Sequence, residues 1–448
     1  MSRAERAAWH DRGAFFCVAG LLLTVPFVFV PTAAESFRAP KLWASGLWGL
    51  ASLIFLAAGL HRRERLSPAA LWQLPALRST LPLLGLALLS LLTTQYPASV
   101  ASASAELAIG AACLVGWSLG LAQDRRDKLL TLVAWPAALL SLLAILQLSG
   151  IYRPFAMRGG EEVSRMGVTS LAGNAGDLAT YLVLPALLLQ ARLLDGRGRR
   201  RIWTASLLAL TIAGLAATQT LTALGALVLG SLAFWLQRLP RRRVAPVLAT
   251  TVGVALVLVL AVPPLRSRAQ SKLASLRAGD WGQFLTYRLD GWRAATWMLG
   301  EHPLAGVGHG AYRSSYAGAR LALAESGRDY SGEYRQLSFF NAHNDVLEVG
   351  AELGWPGLVA LGFAAWTLIQ GLRRVAPARR PLAIAGALSL AVLAIAGFPF
   401  ETSLVAYPWL LFLGGCLVPP AEADPAPDPA PARETRAHPA SAERRRRR

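Results

Sequence analysis

His343 stands in the run Asn341-Ala342-His343-Asn344-Asp345, and after Asn344 nine residues lead to Gly354-Trp355-Pro356-Gly357. Imidazole takes up a proton near neutral pH, so a histidine placed at a reactive hydroxyl can act as a general base. Upstream in the same polar stretch lie Arg288 and the run Pro303-Leu304-Ala305-Gly306-Val307-Gly308. A guanidinium stays charged and offers a planar fork of donors, which fits a phosphate or another anion. These residue types also have plain explanations. A histidine can simply sit at a membrane interface, an arginine can be a solvated helix charge, and paired glycines can make a tight turn. Residue type alone leaves both accounts open.

The elements that must position these residues are hydrophobic. The chain has 448 residues, 54% hydrophobic and 16% charged. Soluble chains run nearer to about a quarter charged. The apolar residues cluster into blocks long enough to cross a bilayer as helices, about twelve in all. Their approximate limits are 13–31, 42–60, 79–94, 102–122, 129–148, 177–193, 202–218, 223–237, 245–263, 352–372, 381–398 and 404–418. Cys17, Cys113 and Cys416 fall inside these blocks with no metal-ligand spacing, and read as small apolar residues rather than disulfides. The first block has basic flanks and no clear cleavage site, so it reads as a span rather than a signal peptide.

The net charge is +19. On a soluble chain that would suggest nucleic acid; here the arginines mark topology instead. One set of loops carries Arg62, Arg63 and Arg65; Arg125, Arg126 and Lys128; Arg197, Arg199, Arg200 and Arg201; Arg238 and Arg241 to Arg243; and Arg373, Arg374, Arg379 and Arg380. The alternate short loops, Gln95–Ser104, Thr218–Thr222 and Pro399–Leu404, carry no basic residue. Positive loops are retained in the cytoplasm, so both termini are expected there and the poorly charged loops in the periplasm. The long stretch 264–350 is then periplasmic despite ten basic residues, among them Arg268, Arg288, Arg328 and Arg335. Long loops cross largely regardless of charge. Within it, the run from Arg288 to Leu299 is expected to form an amphipathic surface helix, with Leu289, Trp292 and Thr296 on one face and Trp281, Trp292 and Trp297 as interfacial anchors. A helix and a mobile turn are expected over Tyr316–Tyr334.

His-Asn, nine residues and Gly-x-x-Gly, preceded by Arg288, Trp292 and Pro303-x-x-Gly306-x-Gly308, resembles the signature of the O-antigen ligase and polymerase family. The likeness is strong from Arg288 to Leu358. It is weaker at Phe37-Arg38-Ala39-Pro40-Lys41 and at Arg165 with Gly173-Asn174. Relatives often carry a Ser-Arg pair in the turn after the seventh span; here that turn reads Thr218-Gln219-Thr220-Leu221-Thr222.

The resemblance implies an all-α polytopic inner-membrane protein that moves a glycan from undecaprenyl pyrophosphate to a sugar hydroxyl of lipid A-core, without a cofactor. His343 is then the catalytic base. Arg288, Arg165 and Lys41 would hold the pyrophosphate, although Lys41 and Arg165 could equally meet lipid headgroups. Asn344, Glu352, Gly354, Gly357, Gly306 and Gly308 would support the site. Glu352, at the membrane boundary, needs a partner, and an arginine of the site is the expected one. His309 is a candidate lining residue, while His302 reads as structural. No Asp-x-Asp cluster marks a metal site, so the arginines are expected to do a metal's work.

The expected domains are a bundle of about nine spans over 1–263, a periplasmic loop domain over 264–351, further transmembrane helices over 352–418, and a disordered cytoplasmic tail over 419–448. A polymerase or a protein O-oligosaccharyltransferase would share this chemistry with another acceptor. A transporter or flippase would place ionisable residues at mid-membrane, whereas these spans read as nearly free of charge.

Overall fold

The computed structural model describes residues 3–33, 35–60, 72–152, 167–327 and 339–417. Arg62, Arg63, Arg65, Arg165, Arg328, Arg335 and the tail 419–448 lie outside the described residues. Every regular element among those described is helical.

The helices are α1 (Arg3–Thr24), α2 (Arg38–Leu60), α3 (Pro75–Leu89), α4 (Pro97–Gly120), α5 (Gln123–Leu132), α6 (Ala134–Leu148), α7 (Ala175–Asp195), α8 (Gly198–Ala217), α9 (Leu221–Arg238), α10 (Arg241–Ala261), α11 (Pro263–Arg277), α12 (Trp281–Phe284), α13 (Arg288–Glu301), α14 (Tyr312–Glu325), α15 (Asp345–Arg374), α16 (Arg380–Ile395) and α17 (Ser403–Cys416). Each of the twelve expected spans falls on one of them. The fifth is a pair, α5 and α6, forming one 26-residue apolar stretch. Among the described residues eight spans are long and apolar enough to cross a bilayer, α1 and α8 not being among them, and α16 and α17 are shorter apolar helices. The chain is an all-α polytopic membrane protein.

Helix α7 lies at the centre, against α6, α8, α9, α16 and α17. Its sequence has apolar residues on nearly every face, from Leu178 through Leu189, as a helix surrounded by protein requires. Small residues bring neighbours close: Gly214 of α8 packs on Ser141, and Gly230 of α9 on Ser389 of α16. Such contacts drive helix association where burial from water cannot. The basic loops gather at one end of the bundle. There Arg126 donates to the carbonyl oxygens of Trp117, Ser118 and Gly414, and Arg379 meets Asp127 at 2.6 Å.

The polar stretch before α15 has a small core of its own. Ala294, Ala295 and Met298 of α13, Tyr312, Tyr316 and Ala319 of α14, and Phe339, Ala342 and Ala351 pack together. The Tyr312 hydroxyl donates to the Gly291 carbonyl at 2.9 Å. Helix α13 buries Gly291, Ala294, Ala295 and Met298 against the protein, while Thr296 is exposed. Small residues win that face because α15 lies directly against it.

Candidate active site

The Pro303–Gly308 run lies backbone to backbone along α15. Val307 N donates to the Ala351 carbonyl and Gly308 N to that of Glu352, each at 2.9 Å, and Trp355 N donates to Pro303 O at 2.8 Å. This contact explains the glycines. A Cβ on Gly306 would strike the backbone of Glu352, and one on Gly354 the Pro303 carbonyl. Gly354, at φ 67° and ψ −164°, breaks α15 in a region essentially reserved for glycine. Gly308, at φ 108°, leaves room for Thr94, whose hydroxyl donates to Val307 O at 2.9 Å. Gly357 sits one turn beyond the kink, close under Leu353. Gly306, Gly308 and Gly354 therefore let the polar stretch dock closely, Gly357 packs within α15, and none of the four lines the cavity described next.

Glu352 does not pair with an arginine as expected. It is 4% exposed; one carboxylate oxygen accepts from Tyr312 N at 3.1 Å and the other lies 3.2 Å from His309 Nδ1. Burial pushes the His309 pKa down, but the hydrogen bond and charge of Glu352, helped by Glu401 and Glu106, outweigh it and raise the pKa. His309 is thus a tie between the Gly-rich run and α15.

His343 and Arg288 line one cavity of about 440 Å³. The wall comprises Thr169 and Gly173 to Asp177 before and within the first turn of α7, Thr220 and Thr222 at the start of α9, and Thr286 with Arg288 at the start of α13. Phe339 and His343 before α15, Leu393 in the last turn of α16, Ala396 to Pro399 after it, Thr402 and Val405 at the start of α17, and Thr180 of α7 complete it. Five helices thus begin at this cavity and turn the positive ends of their dipoles toward it; Asn174 and Asn344 cap two of them. All five begin in segments that carry few basic residues or in the long stretch, at the end of the bundle away from the basic loops.

His343 takes a left-handed backbone conformation, φ 56°, immediately before α15. Its ring meets Phe339 edge-on at 5.6 Å and Phe398 at 4.9 Å between centroids. Asn344 caps α15, its Oδ1 accepting from Val346 N at 3.0 Å and Leu347 N at 3.1 Å. Arg288 opens α13 after two left-handed residues, Thr286 and Tyr287. Burial, then the neighbouring charge of Arg268, lowers its pKa.

Lys41 does not line the cavity. Its ammonium is buried and donates to the carbonyl oxygens of Val28 and Leu171, each at 2.7 Å, tying the first loop to the segment ahead of α7. Phe37 packs on Gly173 at the same junction. The two weaker matches, around Lys41 and around Gly173-Asn174, are therefore neighbours in space.

Sequence reasoning missed Asp177 and Phe398, and named the Thr218–Thr222 turn only as the place where relatives often carry Ser-Arg. For Asp177 a signal existed: an ionisable residue in a span's first turn invites a functional question. For Phe398 there was none, because only the fold brings its turn to the cavity.

Fold and site together define a polytopic membrane protein with a polar, cation-bearing cavity at one end of its helices. Comparison with protein families matches residues 206–362 to the family described as O-antigen ligase. The matched segment contains Arg288, Gly306, Gly308, His343, Asn344, Glu352, Gly354 and Gly357 but neither Lys41 nor Arg165. A comparison with curated proteins finds no match.

Proposed function

We propose that the protein is an O-antigen ligase-type glycosyltransferase of the bacterial inner membrane, with both termini cytoplasmic and the cavity open to the periplasm. The donor is a glycan on undecaprenyl pyrophosphate, and the acceptor is a sugar hydroxyl of lipid A-core. His343 accepts the proton of that hydroxyl as its oxygen attacks the anomeric carbon. The bond from that carbon to the pyrophosphate oxygen breaks, and the leaving group takes the electron pair. Arg288 and the surrounding helix N-termini hold the pyrophosphate as its charge develops. Thr220 and Thr222 offer hydroxyls where relatives often carry Ser-Arg. Among the described residues no group of three or more His, Cys, Asp or Glu side chains could hold a metal ion, and the proposed mechanism uses none. The observation that carries this reading is one cavity lined by both His343 and Arg288 within the matched domain.

The test is transfer by purified protein from donor lipid to acceptor, with a chelator present and no ion gradient. Product formed under those conditions supports the proposal; a strict need for a gradient would point to transport. Deleting the gene separates the acceptors. Lipid-linked polymer accumulating beside uncapped core supports a ligase, whereas single repeat units would show a polymerase.

A further inference from the structure

His343 is held in its left-handed turn from both sides. Behind it, Asn344 caps α15. Ahead of it, Glu348 reaches back from the second turn of the helix. One Glu348 carboxylate oxygen accepts from Asn341 Nδ2 at 3.0 Å, and the other from Ala342 N at 2.8 Å. Both oxygens are thus engaged by the two residues directly before His343. Glu348 is 5% exposed and does not line the cavity. Helix capping does not account for it, because Asn344 already satisfies the first N–H groups of α15. A carboxylate buried at the membrane end of a helix is costly to keep. What it contributes is a fixed backbone at 341–342, and hence a fixed origin for the imidazole.

We infer that Glu348 is a positioning residue for His343. This rests on reading His343 as the proton acceptor. Glu348 makes no contact with substrate; it holds the turn so that the imidazole meets the acceptor hydroxyl at a productive angle. Misplacing a reacting group by about 1 Å can cost about 10²-fold in rate.

The test compares Glu348→Gln and Glu348→Ala in the transfer assay, with rates taken per molecule of monodisperse detergent-extracted protein. Glutamine keeps the shape but only one acceptor oxygen, so kcat is expected to fall about 10-fold; alanine keeps neither, and the fall is expected to approach about 10²-fold. The donor KM should stay within about twofold in both, since positioning the base leaves ground-state binding alone. Asn341→Ala removes one donor of the same clamp. Combined with Glu348→Gln, it should slow transfer by no more than about twofold beyond Glu348→Gln alone, the non-additivity expected of one network. The glutamine variant keeps the experiment decisive if the alanine variant fails to fold. Parental kcat in Glu348→Gln, a loss confined to KM, or fully additive effects with Asn341→Ala would overturn the inference. His343→Ala, run alongside, keeps the two readings apart. Parental activity there overturns the base assignment and this inference with it, whereas an inactive His343→Ala beside a silent Glu348→Gln overturns the positioning role only.

Discussion

Replacing Arg288 with methionine should remove activity while leaving stability equal to the parent or higher. The guanidinium lines the cavity but is partly buried, and among the described residues the charge acting on it is another cation, Arg268. Burying a charge without a counter-charge opposes folding. Methionine has a similar length and no charge, so the free protein loses an unfavourable contribution. The bound state loses much more. A hydrogen bond to a charged group contributes about 1.5–3 kcal/mol, and two prongs on a pyrophosphate together about 3–5 kcal/mol. At about 1.4 kcal/mol per tenfold, kcat/KM should fall by roughly 10²-fold to a few thousand-fold.

Arg288→Lys should be nearly as damaging, because an ammonium on a flexible stem keeps the charge but not the fork. The assay is steady-state transfer with donor concentration varied, alongside thermal unfolding in the same detergent. If Arg288→Lys comes within about threefold of the parent, the arginine supplies only a general positive field. If Arg288→Met unfolds at clearly lower temperature, Arg288 has a structural partner, and its exposure to the cavity would not mark an anion site.

Three further outcomes follow from the same geometry. His343→Ala should abolish transfer with normal insertion, and any residual rate should rise with pH as hydroxide replaces the base; parental activity at neutral pH would rule out the base. The His309–Glu352 contact makes stability pH-dependent. The folded pKa of His309 is raised above its ordinary 6.5, so its contribution is full below about 6.5 and fades as pH climbs through the raised value. The parent should therefore lose thermal stability over that rise and His309→Gln should not; identical pH profiles would refute the linkage. Gly354→Ala should misassemble or unfold at markedly lower temperature, because a left-handed break and contact with the Pro303 carbonyl coincide there; parental stability would mean the kink can relax.

Much of this was legible in the chain because it rests on local rules. Blocks of apolar residues are a strong signal of helices in lipid, and each expected span coincides with a helix. The spacing from His343 to Gly354 was readable too, since the glycine is required by a backbone conformation other residues avoid. Partners were harder to read. Glu352 was expected to meet an arginine, and instead meets His309 and the Tyr312 backbone, because the glycine run brings position 309 back over α15. The buried face of α13 was not read from the sequence, for a related reason. Large apolar side chains signal burial by area, but a helix pressed against another backbone buries its small residues instead, here Gly291, Ala294 and Ala295. Asp177 was passed over, and the Thr218–Thr222 turn was noticed only for the arginine it lacks, because no local pattern says that the starts of α7 and α9 face His343.

The kink at Gly354 links these features. The nine residues of α15 ahead of it carry the supports of the site, Glu348 and Glu352; the residues beyond it belong to an apolar helix packed on α3. A straight helix would leave the Ala351 carbonyl in its own ladder, held by Trp355 N, while Pro356, which lacks an N–H, already leaves that of Glu352 without a donor four residues on. Breaking the ladder at Gly354 turns Trp355 N to Pro303 O, and Val307 N and Gly308 N take up the two carbonyls. The run can lie that close only because Gly306 lacks a side chain. Docked there, it carries His309 to Glu352 and the start of α14 to the core beneath His343. The strained turn at His343 is therefore over-determined by a rigid surround, the condition under which a left-handed non-glycine residue persists. Arg288 is held at the same cavity because α13 packs on α15, its Ala294, Ala295 and Met298 clustering with Ala351, and because Gly291 lies against the Ala342 carbonyl beside His343. The glycines and alanines of the polar stretch thus hold in place the cation and the imidazole that the proposed chemistry needs.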